Sequence, residues 1–159
     1  MIKTLLPAAW HRRVLAMLQP VRLWLWGVLR REVEGIMVLA FDERGRLLMV
    51  RHSYHLPDQW LVPGGGRDRH ENALAAASRE LAEETGCTLS EARHIGQVRR
   101  TMPGGWINRI ELVTGRAHGT AHADGREIIA IGWFDPGALP PGTNAAVQLY
   151  LQAWRGSEG

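Results

Sequence analysis

The sequence predicts an α/β fold of the α+β kind, with a mixed β-sheet lying between helices, and three observations carry that expectation. Residues 35–41 (Gly-Ile-Met-Val-Leu-Ala-Phe) and 46–51 (Arg-Leu-Leu-Met-Val-Arg) are apolar runs of strand length either side of an Asp42-Glu43-Arg44-Gly45 turn, which predicts a buried hairpin. Residues 73–85 carry small and apolar side chains at helical spacing, opened by Asn72 as N-cap and closed by Gly86. A second helical pattern at 145–154 places Val147, Leu151 and Trp154 on one side. At 159 residues, 45% hydrophobic and 22% charged, the chain suits one soluble domain with its own core and is too short for two.

Taken in order, the chain divides at about residue 33. The first 31 residues hold Lys3, Arg12, Arg13, Arg22, Arg30 and Arg31 and no acid, so they carry +6. With a net charge of +3 for the whole, the remainder carries −3. The basic character therefore belongs to an N-terminal arm (1–33) and not to the domain that follows (34–159), which argues against nucleic acid as a partner of the core. Pro20 splits the arm into segments near 8–18 and 21–31, rich in Trp10, Leu15, Leu18, Trp24 and Trp26. No apolar run reaches the length of a membrane-spanning helix, and no cleavable leader is evident. So much apolar surface predicts an arm that buries Trp24 and Trp26 on its own domain or on a second subunit in a homodimer; contact of residues 1–31 with a membrane surface is the alternative. A single cysteine, Cys87, excludes an internal disulfide and a cysteine metal cluster, and points to a reducing, cytoplasmic setting.

After the hairpin, residues 52–59 form a loop holding His52, Tyr54 and His55, and Trp60-Leu61-Val62-Pro63 leads into Gly64-Gly65-Gly66. In the helix that follows, Leu74, Ala77, Ser78, Leu81 and Thr85 make a stripe for the core. Glu80, Glu83 and Glu84 share the sector beside it, with Ala73 and Ala76 leaving room next to them. Like charges at that spacing repel unless a cation neutralises them, and a hard divalent ion such as Mg2+ suits an all-oxygen set. Residues 92–102 and 106–116 predict two longer strands around Pro103-Gly104-Gly105, residues 127–134 another, and Asp135-Pro136 a short turn of helix. Seven histidines without a spaced cluster do not suggest zinc.

The stretch from Gly65 to Cys87 resembles the Nudix box, Gly-x5-Glu-x7-Arg-Glu-U-x-Glu-Glu-x-Gly-U with U a bulky aliphatic residue. Gly65, Glu71, Arg79, Glu80, Leu81, Glu83, Glu84 and Gly86 fit at the right spacing. Cys87 stands where the aliphatic residue is usual, and His70 where many relatives have glycine. The Trp-x-x-Pro-Gly-Gly entry extends the resemblance, which covers most of the chain after residue 33. It implies an α/β/α sandwich and hydrolysis of a nucleoside diphosphate linked to another group, a small-molecule substrate, with Mg2+ or Mn2+ as cofactor.

Carried over by position, Glu80, Glu83 and Glu84 are the metal ligands, joined by a backbone carbonyl at Gly64 or Gly65. Arg79 points away from their face and orients a box glutamate through a salt bridge, with Glu83, Glu127 and Arg79 making the catalytic set. Glu127 is the candidate general base from a later strand, Asp124 its substitute, and an ordinary strand-edge carboxylate is the competing reading. Glu71 and Gly86 are structural. Arg51, Tyr54, Gly64 and Gly66 are the candidate substrate contacts, although Arg51 also reads as a solvated strand end, and His52, Tyr54 and His55 as surface residues. Trp106 and Cys87 read as packing. Two other classes stay open: a non-catalytic nucleotide sensor, which would lose a box glutamate, and an isoprenoid diphosphate isomerase relative, which would need a cysteine outside the box.

Overall fold

A computed structural model describes residues 32–54, 56–68, 70–102 and 105–158. In chain order the elements are β1 (Glu32–Phe41), β2 (Leu47–His52), β3 (Gly64–Gly66), α1 (Ala73–Thr85), β4 (Thr88–Thr101), β5 (Ile107–His118), β6 (Ile128–Phe134) and α2 (Ala145–Ser157). Among the described residues they build a six-stranded sheet in the order β4-β5-β1-β2-β6, with β3 paired to β1. It is mixed because β1 runs parallel to β5 and antiparallel to β2 and β3. The expected arm, its two segments and its docking tryptophans lie outside the described residues; β1 itself starts at Glu32, two residues ahead of the predicted boundary.

Alternation along β1 explains the layers. Ile36, Val38 and Ala40 pack with Leu48, Val113, Ala76, Ala77, Leu81 and Cys87 on the α1 side. Leu39 and Phe41 pack with Leu47, Met49, Leu112, Val147, Tyr150 and Leu151 on the α2 side. Successive side chains point to opposite faces, so a strand buried on both must be apolar throughout, as residues 36–41 are. The α/β/α sandwich is thus present.

Several expectations are corrected. The β1–β2 hairpin pairs only at its closed end, Phe41 opposite Leu47, because the glycine strand β3 takes the next stretch of β1, with Ile36 opposite Gly65. On α1, Leu74 is exposed, and Ala76 is packed in the core where it leaves no room beside the glutamates. The face of α1 turned to the sheet is centred so that position 76, not 74, meets Ile36 and Val38. Residues 136–138 form a turn and no helix. The caps behave as read: Asn72 accepts from the Ala75 amide, and Gly86 closes the helix at φ 75°, where an added Cβ would lie 2.2 Å from the His122 ring.

Leu81 is fully buried between α1 and the sheet. Leu81→Ala is expected to lower unfolding free energy by about 2–5 kcal/mol, through lost burial and the cavity left behind, as measured by chemical denaturation.

Candidate active site

The glycines of β3 and one face of α1 meet because nothing larger fits between them. A Cβ on Gly65 would sit 2.6 Å from the Glu80 carboxylate, and one on Gly64 would sit 2.1 Å from the Ile36 carbonyl oxygen. The three-residue strand therefore slips between β1 and the helix, and its backbone reaches the acidic sector of α1 directly.

Arg79 organises the first half of that sector. Its Nε and Nη2 donate to the two oxygens of Glu71, each at 2.9 Å, and Nη2 also donates to the Gly66 carbonyl at 3.0 Å. Nη1 donates to Glu80 Oε1 at 2.7 Å and lies 3.5 Å from Glu83 Oε2. The expectation that Arg79 points away from the glutamates is thus corrected, while its salt bridge to a box glutamate is present. Its side chain curls back over Glu80 because Glu71, at the mouth of the helix, supplies a bidentate partner there. That bond holds the Glu71 carboxyl below its usual range. Burial pushes the neighbouring Glu80 up despite Arg79.

Glu84 heads the second half. Its Oε2 accepts from the Gly64 amide at 3.0 Å, and its Oε1 lies 3.7 Å from His52 Nε2. Burial pushes its pKa up to about 8, and the fields of Glu80, Glu127 and Glu83 add to the rise against the Gly64 hydrogen bond. Glu127 comes near because β2 and β6 pair there: Ser53 donates its amide to the Glu127 carbonyl at 2.8 Å and its hydroxyl to the Arg126 carbonyl at 2.6 Å. Asp124 is engaged otherwise. Burial works upward on it, but Oδ1 accepts from the amides of Arg126, Glu127 and Ile128, which leaves its pKa below the usual value. A carboxyl so held is a poor proton acceptor near neutrality.

The remaining candidates scatter. Arg51 donates Nε and Nη2 to the Pro57 carbonyl, lies 3.5 Å from Asp58 and stacks over Trp60, so its guanidinium braces the loop that enters β3. Tyr54 meets the His52 ring edge-on at 6.2 Å. His52 is buried at the end of β2, not exposed in a loop, and the sequence reading missed its approach to Glu84; its place five residues on from Phe41's partner Leu47 carries no local signal of it. Trp106 and Cys87 are buried, as read, and His55 lies outside the described residues. Among the described residues, no three His, Cys, Asp or Glu side chains already converge as a metal cage. The donor set nevertheless fits a hard divalent cation: it is all oxygen and rich in carboxylates, and burial together with the neighbouring acids raises the pKa of one of them, Glu84.

The family model described as NUDIX domain matches residues 31–154. A protein of Bacillus subtilis (strain 168) named putative 8-oxo-dGTP diphosphatase is 34% identical over 108 residues, covering 67% of this chain and 69% of that one. The NAD-capped RNA hydrolase NudC of Vibrio atlanticus (strain LGP32) is 26% identical over 104 residues, which are 65% of this chain and 38% of that protein. Among solved structures, a MutT NUDIX hydrolase from Burkholderia pseudomallei superposes with a TM-score of 0.68 at 24% identity, over 77% of this chain and 97% of that one, a likeness of fold.

The raised pKa of Glu84 has a consequence for stability without metal. A folded-state value above the unfolded 4.5 contributes stability that is complete below pH 4.5 and is lost as pH rises through about 8. In chelator the melting temperature is expected to fall between those limits, and Glu84→Gln to flatten that fall. Scanning calorimetry across the range checks both.

Proposed function

This chain belongs to the Nudix family and is a hydrolase acting on phosphorus-containing anhydrides, and on that premise we propose that its substrate is a nucleoside diphosphate linked to a further group, cleaved with Mg2+ or Mn2+ bound. The observation that carries the reading is the buried, under-neutralised Glu84 beside Glu80, Glu83 and Glu127, facing the glycine strand. Glu80, Glu83 and Glu84, with the Gly65 carbonyl, would hold the metal. Bound there, it would supply charge neutralisation and Lewis acidity at the anhydride.

The protein's own groups divide the remaining work. Arg79 holds Glu80 and Glu83 in place and ties them through Glu71 to the loop ahead of the helix. Glu127, whose carboxylate raises the Glu84 pKa through its field while its amide helps hold Asp124, takes the proton of the attacking water. Gly66, where an added Cβ would meet nothing, would leave room beside the phosphates, with Gly64 next to it bonded through its amide to Glu84. Tyr54 would border the substrate side beside His52, while Arg51, on the α2 side of β2, keeps the entry loop in shape through the Pro57 carbonyl. The single buried thiol, Cys87, suits a reducing, cytoplasmic setting, which belongs to the same proposal.

The relative named for 8-oxo-dGTP makes nucleoside triphosphates, oxidised and ordinary, the first compounds to screen, beside nucleotide sugars and dinucleotides. Turnover of any of them with Mg2+ separates the enzyme from a sensor. Glu83→Gln and Glu84→Gln are expected to lower kcat by at least about a hundredfold with the fold intact. Wild-type rates in both at limiting Mg2+ would discard the ligand set. Glu127→Gln is expected to depress kcat while leaving metal affinity within about threefold, and to flatten the rise of rate with pH. An unchanged pH–rate profile would reassign the base.

A further inference from the structure

Arg79 serves only part of the acidic sector. Its guanidinium contacts Glu71, Glu80, Glu83 and the Gly66 carbonyl, and none of its bonds reaches Glu84. Glu84 is held from the other side. The Gly64 amide donates to Oε2 at 3.0 Å, and the His52 ring nitrogen faces Oε1 from 3.7 Å, an ion-pair approach longer than a hydrogen bond, so one group stands on each oxygen.

The fold places His52 there by design of the sheet edge. Along β2, Leu48 faces α1 while Leu47 and Met49 face α2, so parity puts His52 on the α1 side and Arg51 on the other. The β2–β6 ladder is interrupted at this point: Arg51 pairs with Ala130 and His52 with Ile128, leaving Ile129 as an extra, exposed residue. Such a bulge re-aims the side chains beside it. The very next residue, Ser53, is bonded through its backbone and hydroxyl to the segment of Arg126 and Glu127. His52 thus sits where the helix carboxylate and the Glu127 segment come together, with little solvent access.

We propose that His52 is a positioning residue for Glu84, the counterpart on this half of the site to Arg79 on the other. By presenting its ring nitrogen to Oε1, it keeps the carboxylate turned toward the glycine strand and ready to bind a divalent cation. The inference rests on Glu84 being a metal ligand. It adds that a ligand's orientation is supplied from strand β2, outside the box.

The test uses the full chain, Mn2+ and isothermal titration calorimetry, and therefore needs no knowledge of the substrate. His52→Met fills the buried slot without a nitrogen donor, and His52→Gln returns an N–H at similar reach. His52→Met is expected to weaken Mn2+ binding about tenfold, as loss of a ligand's supporting partner does, while His52→Gln stays within about threefold of the parent. In a Glu84→Gln background, His52→Met should cost nothing further, because the two act through one carboxylate. Unchanged affinity in His52→Met, no recovery in His52→Gln, or a full additional loss on top of Glu84→Gln would each overturn the positioning role. Should Glu84→Gln alone bind Mn2+ as the parent does, the ligand assignment itself fails and the inference with it. If His52→Met does not fold by circular dichroism, His52→Gln decides: a tenfold loss of Mn2+ affinity in that folded variant overturns the proposal.

Discussion

Like-charge repulsion among carboxylates on one helix sector is the constraint the rest of this protein answers. Glu80, Glu83 and Glu84 follow one another within a turn and a half of α1, and the paired strands β2 and β6 bring Glu127 toward them. Against four acids, the sector holds one guanidinium among the described residues, that of Arg79. Arg79 spends its donors on Glu71, Glu80 and the Gly66 carbonyl, so the positive charge is concentrated at the N-terminal half. The imbalance falls on Glu84, whose pKa burial and its neighbours' fields raise. A site in that condition gains by accepting a cation, and it sits on rigid elements that keep it in that condition.

Those elements owe their closeness to missing side chains. β3 can lie against β1 and under α1 because Gly64 and Gly65 have no Cβ to meet Ile36 and Glu80. The same closeness lets a backbone amide, that of Gly64, replace a second cation on Glu84. On the opposite face the apolar layer under α2 holds the sheet without taking part in the site, so the sandwich assigns support to one side and chemistry to the edge of the other.

The bond from Ser53 to the Glu127 carbonyl links two segments that are far apart in the chain. It fixes the spacing between the helix carboxylates and the loop acid, and it does so beside His52. Asp124 completes that corner by capping three successive amides with one oxygen, which shapes the turn delivering Glu127. One acid near the site is thereby committed to architecture.

Much of this was legible in the chain alone. The α1 helix, its Asn72 and Gly86 caps, the buried Cys87 and the glutamate cluster follow from local propensity and from spacing, which need no distant partner to take effect. The strand β5 and the two-sided burial of β1 likewise follow from apolar runs and turn residues, whereas the polar β4 begins at Thr88, four residues before the expected 92, because it pairs with β5 from Thr88 opposite His118 onward. What only the tertiary structure decided are the contacts between segments remote in sequence. Helical spacing leaves open how the sheet crosses α1, and so could not tell Ala76 from Leu74 as the core residue. Arg79 could be read as facing away because its turn toward Glu80 depends on Glu71 waiting at the helix mouth. His52 carried no signal at all: its burial against Glu84 comes from the parity of β2, a bulge in the β2–β6 ladder and the packing of α1 on that face. Each of these depends on a register between strands or layers, and register is set by the whole sheet, not by the residues on either side of the one in question.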